Sequence, residues 1–170
     1  VAVGGRKPVT VTVDEHPKRA PTTETLAGLR PAFQKDGTVT AGNASGINDG
    51  GAAVLVTTEQ IARDRGATGL VALEAVTTAA MEPELMGYAP VLALQALFER
   101  TGTTPKDIGT VELNEAFASQ AVAVIRDAGL DPARTNPYGG AIALGHPVGA
   151  TGAILSLRVA QDLVRRDLEL

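Results

Sequence analysis

Apolar positions recur with a helical period in some stretches of this chain and alternate or crowd together in others. Val9-Thr10-Val11-Thr12-Val13 alternates, which predicts a strand over 9–13. Residues 52–58 (Ala-Ala-Val-Leu-Val-Thr-Thr) predict a buried strand, followed by a short helix over 59–65 that Gly66 stops. The β-branched run over 70–78 predicts a further strand, and 81–88 reads as irregular. Pro90 then opens a helix with Val91, Leu94 and Phe98 on one face and Gln95 and Glu99 on the other, closed by Gly102. Residues 108–113 predict a strand, and the helix that follows to Gly129 carries Phe117, Ala121, Val124 and Ala128 on one face. A last helix runs from about Gly149 to Asp167, with Ile154, Leu155, Leu157, Val159 and Leu163 facing inward. Its Arg158, Asp162, Arg165 and Arg166 read as a solvated stripe, and its basic end suits the negative pole of the helix. Strands alternating with helices from residue 38 onward imply a layered α/β arrangement.

The connecting segments carry most of the candidate chemistry. Residues 14–19 are charged and interrupted by Pro17, so they read as a surface linker with His16 facing solvent. Thr22 or Thr23 is placed to cap a short helix, and the chain up to residue 35 reads as an arm. Asp36-Gly37 is a turn signal. The glycine-rich loop over 38–51 reads either as an ordinary connection or as a ligand contact made by the Ser45 hydroxyl and backbone amides. Asn114 stands at a strand-to-helix junction, where an N-cap belongs and where α/β proteins also place catalytic groups. Glu115 falls in the favourable first turn of the helix.

The stretch Gly139–Gly152 sets five glycines around one histidine, His146. Pro147 disfavours the helical region for His146 and holds it extended in a stiff turn. An imidazole so placed can move protons or hydrogen-bond a developing anion, or it can serve the turn structurally. The glycine spacing fits neither a P-loop, since no lysine follows, nor the Gly-x-Gly-x-x-Gly dinucleotide fingerprint.

Composition narrows the classes. A length of 170 residues and an apolar share of 44% suit a globular domain with its own core. A net charge of -4, scattered basic residues and an aromatic share of 3% argue against nucleic-acid binding. No apolar run reaches the length of a membrane span, and no basic-then-apolar leader is present, which points to the cytoplasm. The chain has no cysteine and only two histidines, far apart in sequence, so neither a disulfide framework, a thiolate zinc site nor any other metal site is expected.

Taken together, Thr38–Gly46 with Asn48-Asp49-Gly50, Met86-Gly87, Asn114-Glu115-Ala116-Phe117 and Gly139–Pro147 resemble the thiolase family, and Asp14-Glu15-His16-Pro17 fits as well. The resemblance implies a layered thiolase-like α/β fold, a mixed sheet flanked by helices. Residues 1–35 would be a connector from the amino-terminal half, and residues 36–170 a carboxyl-terminal domain lacking its last strands. It implies acyl transfer between coenzyme A thioesters, with no cofactor beyond those substrates. His146 would activate a nucleophilic cysteine and help stabilise the thioester oxyanion. Asn114 would hold a water that gives the second hydrogen bond. Ser45 would touch the pantetheine arm of coenzyme A, and Ile47, Ala116 and Phe117 would line its tunnel. A homodimer or homotetramer is expected.

The cysteines of that chemistry have no counterpart here. The family carries its nucleophilic cysteine in the amino-terminal half and a second in a Cys-x-Gly loop near the carboxyl terminus. Val1 falls mid-pattern and Leu170 follows a helix without a closing strand, so both ends read as cut. The segment alone is therefore expected to be inactive, and to need the amino-terminal half and the final strands. The alternative is a non-catalytic acyl-CoA-binding or subunit-interaction protein derived from a thiolase.

Overall fold

Val91 and Val124 are the best-buried large side chains, at 1% and 0% exposure, and each comes from a helix whose apolar face was legible in sequence. The computed structural model describes residues 2–3, 9–17, 21–67 and 71–170. Two short strands, β1 (Ala2–Val3) and β2 (Val9–Thr10), pair antiparallel with Ala2 opposite Thr10. The helices are α1 (Thr23–Ala27), α2 (Glu59–Asp64), α3 (Ala89–Thr101), α4 (Ala118–Asp127), α5 (Ala141–Leu144) and α6 (Thr151–Arg166). Short 3-10 helices cover Pro83–Tyr88 and Pro105–Asp107.

Local chemistry explains the helix ends. Thr22 caps α1 through a reciprocal capping box with Thr25. Pro90 sits in the first turn of α3, where its missing N–H costs nothing, and Gly102 ends that helix at φ 71°. The core joins Val91 of α3 and Ala121 and Val124 of α4 to Leu113, with Tyr88, Leu94, Val111 and Ile125 packed around them.

The extended segments differ from the sequence reading. The strand predicted over 9–13 is paired only at Val9–Thr10. Residues 52–58 are not a buried strand: they form no ladder, and Leu55 and Val56 are 91% and 75% exposed. Residues 71–78 are likewise unpaired and mostly exposed, and residue 70 of that predicted strand lies outside the described residues, as do Lys18 and Arg19 of the predicted linker. The predicted strand over 108–113 is reduced to a parallel bridge between Val111 and Thr135. A β-branched or alternating sequence favours extended backbone, but a ladder needs a neighbour from elsewhere in the chain, and beyond Val9–Thr10 and the single Val111 bridge the described residues provide none.

α6 also differs. Asp162 does not belong to a solvated stripe: it is 2% exposed, accepts a hydrogen bond from the Tyr138 hydroxyl at 2.9 Å, and pairs with Arg166 at 2.9 Å. Arg158 is mostly covered too, reaching Glu112 at 3.2 Å and donating to the Gly139 carbonyl at 2.7 Å. The helix thus turns part of its charged face onto residues 108–113 and 138–139 and ties them together.

Candidate functional site

Asn114 sits between two anchored neighbours. The Leu113 N–H donates to Asn136 Oδ1 at 2.8 Å, and Asn136 Nδ2 donates to the Leu113 carbonyl and to Glu115 Oε1, each at 2.9 Å. One side chain therefore grips both residues flanking Asn114. Asn136 reaches them from a backbone at φ 50°, a left-handed conformation that asparagine tolerates better than most residues. Asn114 is not the N-cap of α4; Phe117 holds that position, with three residues of turn intervening between Asn114 and the helix.

His146 is held from the other side. It is extended, as Pro147 requires, and forms a parallel bridge with Ile47. Its N–H lies 3.1 Å from the Gly46 carbonyl and 3.2 Å from Asn48 Oδ1. The residue before it, Gly145, has φ 95°, and a Cβ there would fall 2.6 Å from Asn48 Oδ1, so only glycine fits. Behind the histidine, Nδ1 lies 2.7 Å from the Thr151 hydroxyl at the start of α6.

The two side chains meet. Asn114 Nδ2 lies 3.4 Å from His146 Nε2 across a separation of 32 positions. Asn114 Oδ1 is buried with no partner in the protein. A buried amide oxygen with both lone pairs unused is poised to accept from a small donor. A cavity of about 750 Å3 reaches Asn114 but is not lined by His146 itself; it is walled by the flanking Gly145 and Pro147, by Asn48, and by Thr151 and Arg158 of α6.

The other predicted site residues lie on adjoining segments. Ala44 bridges Phe117 antiparallel, the Ser45 N–H donates to the Ala116 carbonyl at 3.0 Å, and the Ala118 N–H donates to the Asn43 carbonyl at 2.8 Å. The loop carrying Ser45 and Ile47 is thus clamped between the Asn114–Phe117 turn and the His146 turn. Ile47 is 94% exposed, and the Phe117 ring packs edge-on against Phe33 at 5.8 Å.

Sequence reasoning missed four supporting side chains. Glu115 does more than favour a helix start: its carboxylate accepts from Asn136 and from the Ile142 N–H at 3.2 Å, holding the first turn of α5. His16 does not face solvent; it is half-buried, with Nε2 3.2 Å from the Ile142 carbonyl and its ring against Gly46. Asn48 and Asn136 brace the two halves of the site. The readable signal for both was an asparagine inside a glycine- or proline-rich turn, where its side chain can replace a backbone partner. Among the described residues no group of three or more His, Asp or Glu could hold a metal ion, and no helix is long and apolar enough to cross a membrane.

Comparison with known proteins gives this geometry a context. Residues 1–60 match the family described as "Thiolase, N-terminal domain" and residues 67–170 match "Thiolase, C-terminal domain". The chain is 48% identical over 168 residues to the acetyl-CoA acetyltransferase of Paracoccus denitrificans, covering 98% of itself and 43% of that protein. It is also 48% identical over 156 residues to the 3-oxoadipyl-CoA/3-oxo-5,6-dehydrosuberyl-CoA thiolase of Escherichia coli K12, covering 91% of itself and 39% of that protein. The crystal structure of Bacillus anthracis acetyl-CoA acetyltransferase superposes with a TM-score of 0.88 at 40% identity, covering 98% of this chain and 43% of that one. Human mitochondrial 3-ketoacyl-CoA thiolase in complex with CoA superposes with a TM-score of 0.81 at 38% identity, covering 93% of this chain and 40% of that one. The chain therefore spans well under half the length of these relatives, and its arrangement is the thiolase-like α/β fold. On its sequence and its structure alike, the chain belongs to the thiolase family.

Proposed function

We propose that this chain is the part of an acyl-CoA C-acyltransferase that supplies the oxyanion-binding pair and a stretch of the coenzyme A groove. The full-length protein moves acyl groups between coenzyme A thioesters, by thiolysis of a 3-ketoacyl-CoA or by condensation. The observation that carries this reading is the 3.4 Å approach of Asn114 Nδ2 to His146 Nε2, with Asn114 Oδ1 buried and unpartnered. A thioester attacked by a thiolate develops negative charge on its carbonyl oxygen. That oxygen is stabilised by donors fixed in advance, each worth roughly 3–4 kcal/mol of barrier. His146 Nε2 provides one such donor once it has taken the proton of the attacking thiol. A water accepted by Asn114 Oδ1 provides the other.

The chain itself contains no cysteine, so the nucleophilic thiol comes from elsewhere in the full-length protein and the segment alone does not turn over. Ser45, Ile47, Ala116 and Phe117 lie on the segments that adjoin the two side chains, and we assign them to the pantetheine arm of coenzyme A. Their support is their common placement on segments clamped to the His146 turn. The human relative was crystallised in complex with CoA, which supports coenzyme A as the ligand. A pure acyl-CoA-binding module would have no use for an imidazole and an amide held against each other, so the catalytic reading is preferred to that alternative.

The test is thiolysis of acetoacetyl-CoA by the full-length protein. His146→Ala and Asn114→Ala should each lower kcat by about a hundredfold or more. Rates within a few-fold of the parent for both variants would overturn the roles assigned here.

A further inference from the structure

The hydroxyl of Thr151 lies 2.7 Å from His146 Nδ1 and 2.9 Å from the Pro147 carbonyl. A hydroxyl has a single hydrogen to give. The Pro147 carbonyl has none, so that contact takes the Thr151 hydrogen. The contact to the imidazole then leaves Thr151 as acceptor, and Nδ1 must bear the proton. On the opposite edge of the ring, Asn114 presents an N–H donor to Nε2, which matches a bare lone pair there. The three contacts form one consistent chain of donors and acceptors: Asn114 N–H to Nε2, Nδ1–H to Thr151 Oγ1, and Thr151 O–H to the Pro147 carbonyl.

We infer that Thr151 is a positioning residue that fixes neutral His146 as the Nδ1–H tautomer, leaving Nε2 free to accept a proton. The inference rests on the acyl-transfer reading for its use, since that reading needs a base at Nε2. Under it, Nε2 takes the proton of the incoming thiol while Nδ1–H stays on Thr151. The resulting imidazolium carries both protons, and Nε2 returns its own to the departing coenzyme A thiolate. The wrong tautomer would present an N–H to the thiol and could accept nothing. Thr151 is 8% exposed and lies in the first turn of α6, where its side chain also bonds back to the preceding turn, so the hydroxyl has little freedom to reorient.

His16 provides an internal contrast. Its Nε2 faces the Ile142 carbonyl at 3.2 Å, which only an N–H can satisfy, so its neutral ring takes the opposite tautomer.

The experiment uses the full-length protein labelled with 15N-histidine and studied by magic-angle-spinning NMR at about pH 8.5, where an ordinary imidazole is neutral. The His146 signals are identified by their loss in His146→Ala. We expect a protonated Nδ1 and a bare Nε2. Thr151→Val, which keeps the shape and removes the oxygen, should move His146 toward the Nε2–H form and lower kcat roughly ten- to a hundredfold with KM little changed. Thr151→Ser should restore both the tautomer and a rate within about threefold of the parent. An Nε2–H tautomer in the parent protein, or an unchanged His146 spectrum in Thr151→Val, would overturn the inference. Because the NMR readout does not depend on turnover, it stands apart from the test of the acyl-transfer reading. If His146→Ala retains activity while the tautomer is as expected, only the earlier reading fails. If His146→Ala is inactive while the tautomer is the other one, only this inference fails.

Discussion

A single methyl group at residue 140 would strike the Glu115 carboxylate. A Cβ built there falls 2.2–2.5 Å from the carboxylate atoms, and Glu115 has no slack to give because Asn136 and the Ile142 N–H both hold it. Gly140→Ala should therefore displace Glu115, loosen the turn leading to His146 and destabilise the full-length protein by about 1–3 kcal/mol. Gly152→Ala is the control: nothing lies within 4 Å of its built Cβ and the residue is helical, so the change should be neutral or gain up to about 1 kcal/mol. Urea midpoints of the two variants check the pair, and equal shifts would mean that the Glu115 contact carries no weight. At this scale the sequence singled out two side chains that the structure brings together, but not how they are braced. His146 and Asn114 stood out because a histidine before proline and an asparagine at a junction are locally conspicuous. Glu115, Asn48 and His16 did not, because their partners lie 27, 98 and 126 positions away.

Elements were legible in proportion to how local their causes are. Helices α3 and α4 follow from period, Pro90 and Gly102, all contained within the segment itself. The extended segments were legible only as backbone, since their pairing depends on neighbours that no local pattern names. The charged face of α6 was misread for a related reason. Spacing groups Arg158, Asp162 and Arg166, and Arg166 is exposed as expected, but Arg158 and Asp162 are covered against Glu112 and Tyr138 on distant segments. That buried network predicts opposing pH effects. Burial pushes the Asp162 carboxyl up, but the Thr110 and Tyr138 hydroxyls and the Arg166 guanidinium outweigh it and hold the pKa below the ordinary value. Its contribution is thus present above about pH 4, the unfolded value, and is lost as pH falls through the lower folded one. Glu112 runs the other way: burial raises it, Arg158 pulls it down, and the charges of Asp162 and Glu115 push it up again. Its contribution favours the folded state below about pH 4 and fades as pH rises through the raised folded value. Asp162→Asn should cost the full-length protein roughly 2–3 kcal/mol at pH 7. The deficit should shrink as the buffer is taken below about pH 4. Denaturant unfolding at several pH values measures this, and a deficit independent of pH would mean that the carboxylate charge is not what stabilises α6.

At the scale of the whole molecule, the distribution of apolar surface is uneven. The core joins α3 and α4 to residues 111–113, whereas Leu55, Val56 and Leu73 are 91%, 75% and 74% exposed on unpaired extended backbone, and Phe33 is 76% exposed. Relatives matching this chain are more than twice its length. Extended apolar segments with free N–H and C=O groups are templates for pairing, and in the full-length protein we expect strands and helices from its other parts to cover them. The 170-residue chain on its own should then behave as an incompletely buried domain. Its urea transition should be broad, with an m-value below that of an ordinary domain of this length, because less surface is hidden before unfolding begins. It should also depend on protein concentration, since exposed edges on separate copies can pair with one another. Hydrogen exchange would localise the effect: amides of α3, α4 and α6 protected, those over 52–58 and 71–78 exchanging almost freely. A sharp, concentration-independent transition with a full m-value, accompanied by protection across 52–58, would show instead that the chain closes its own sheet.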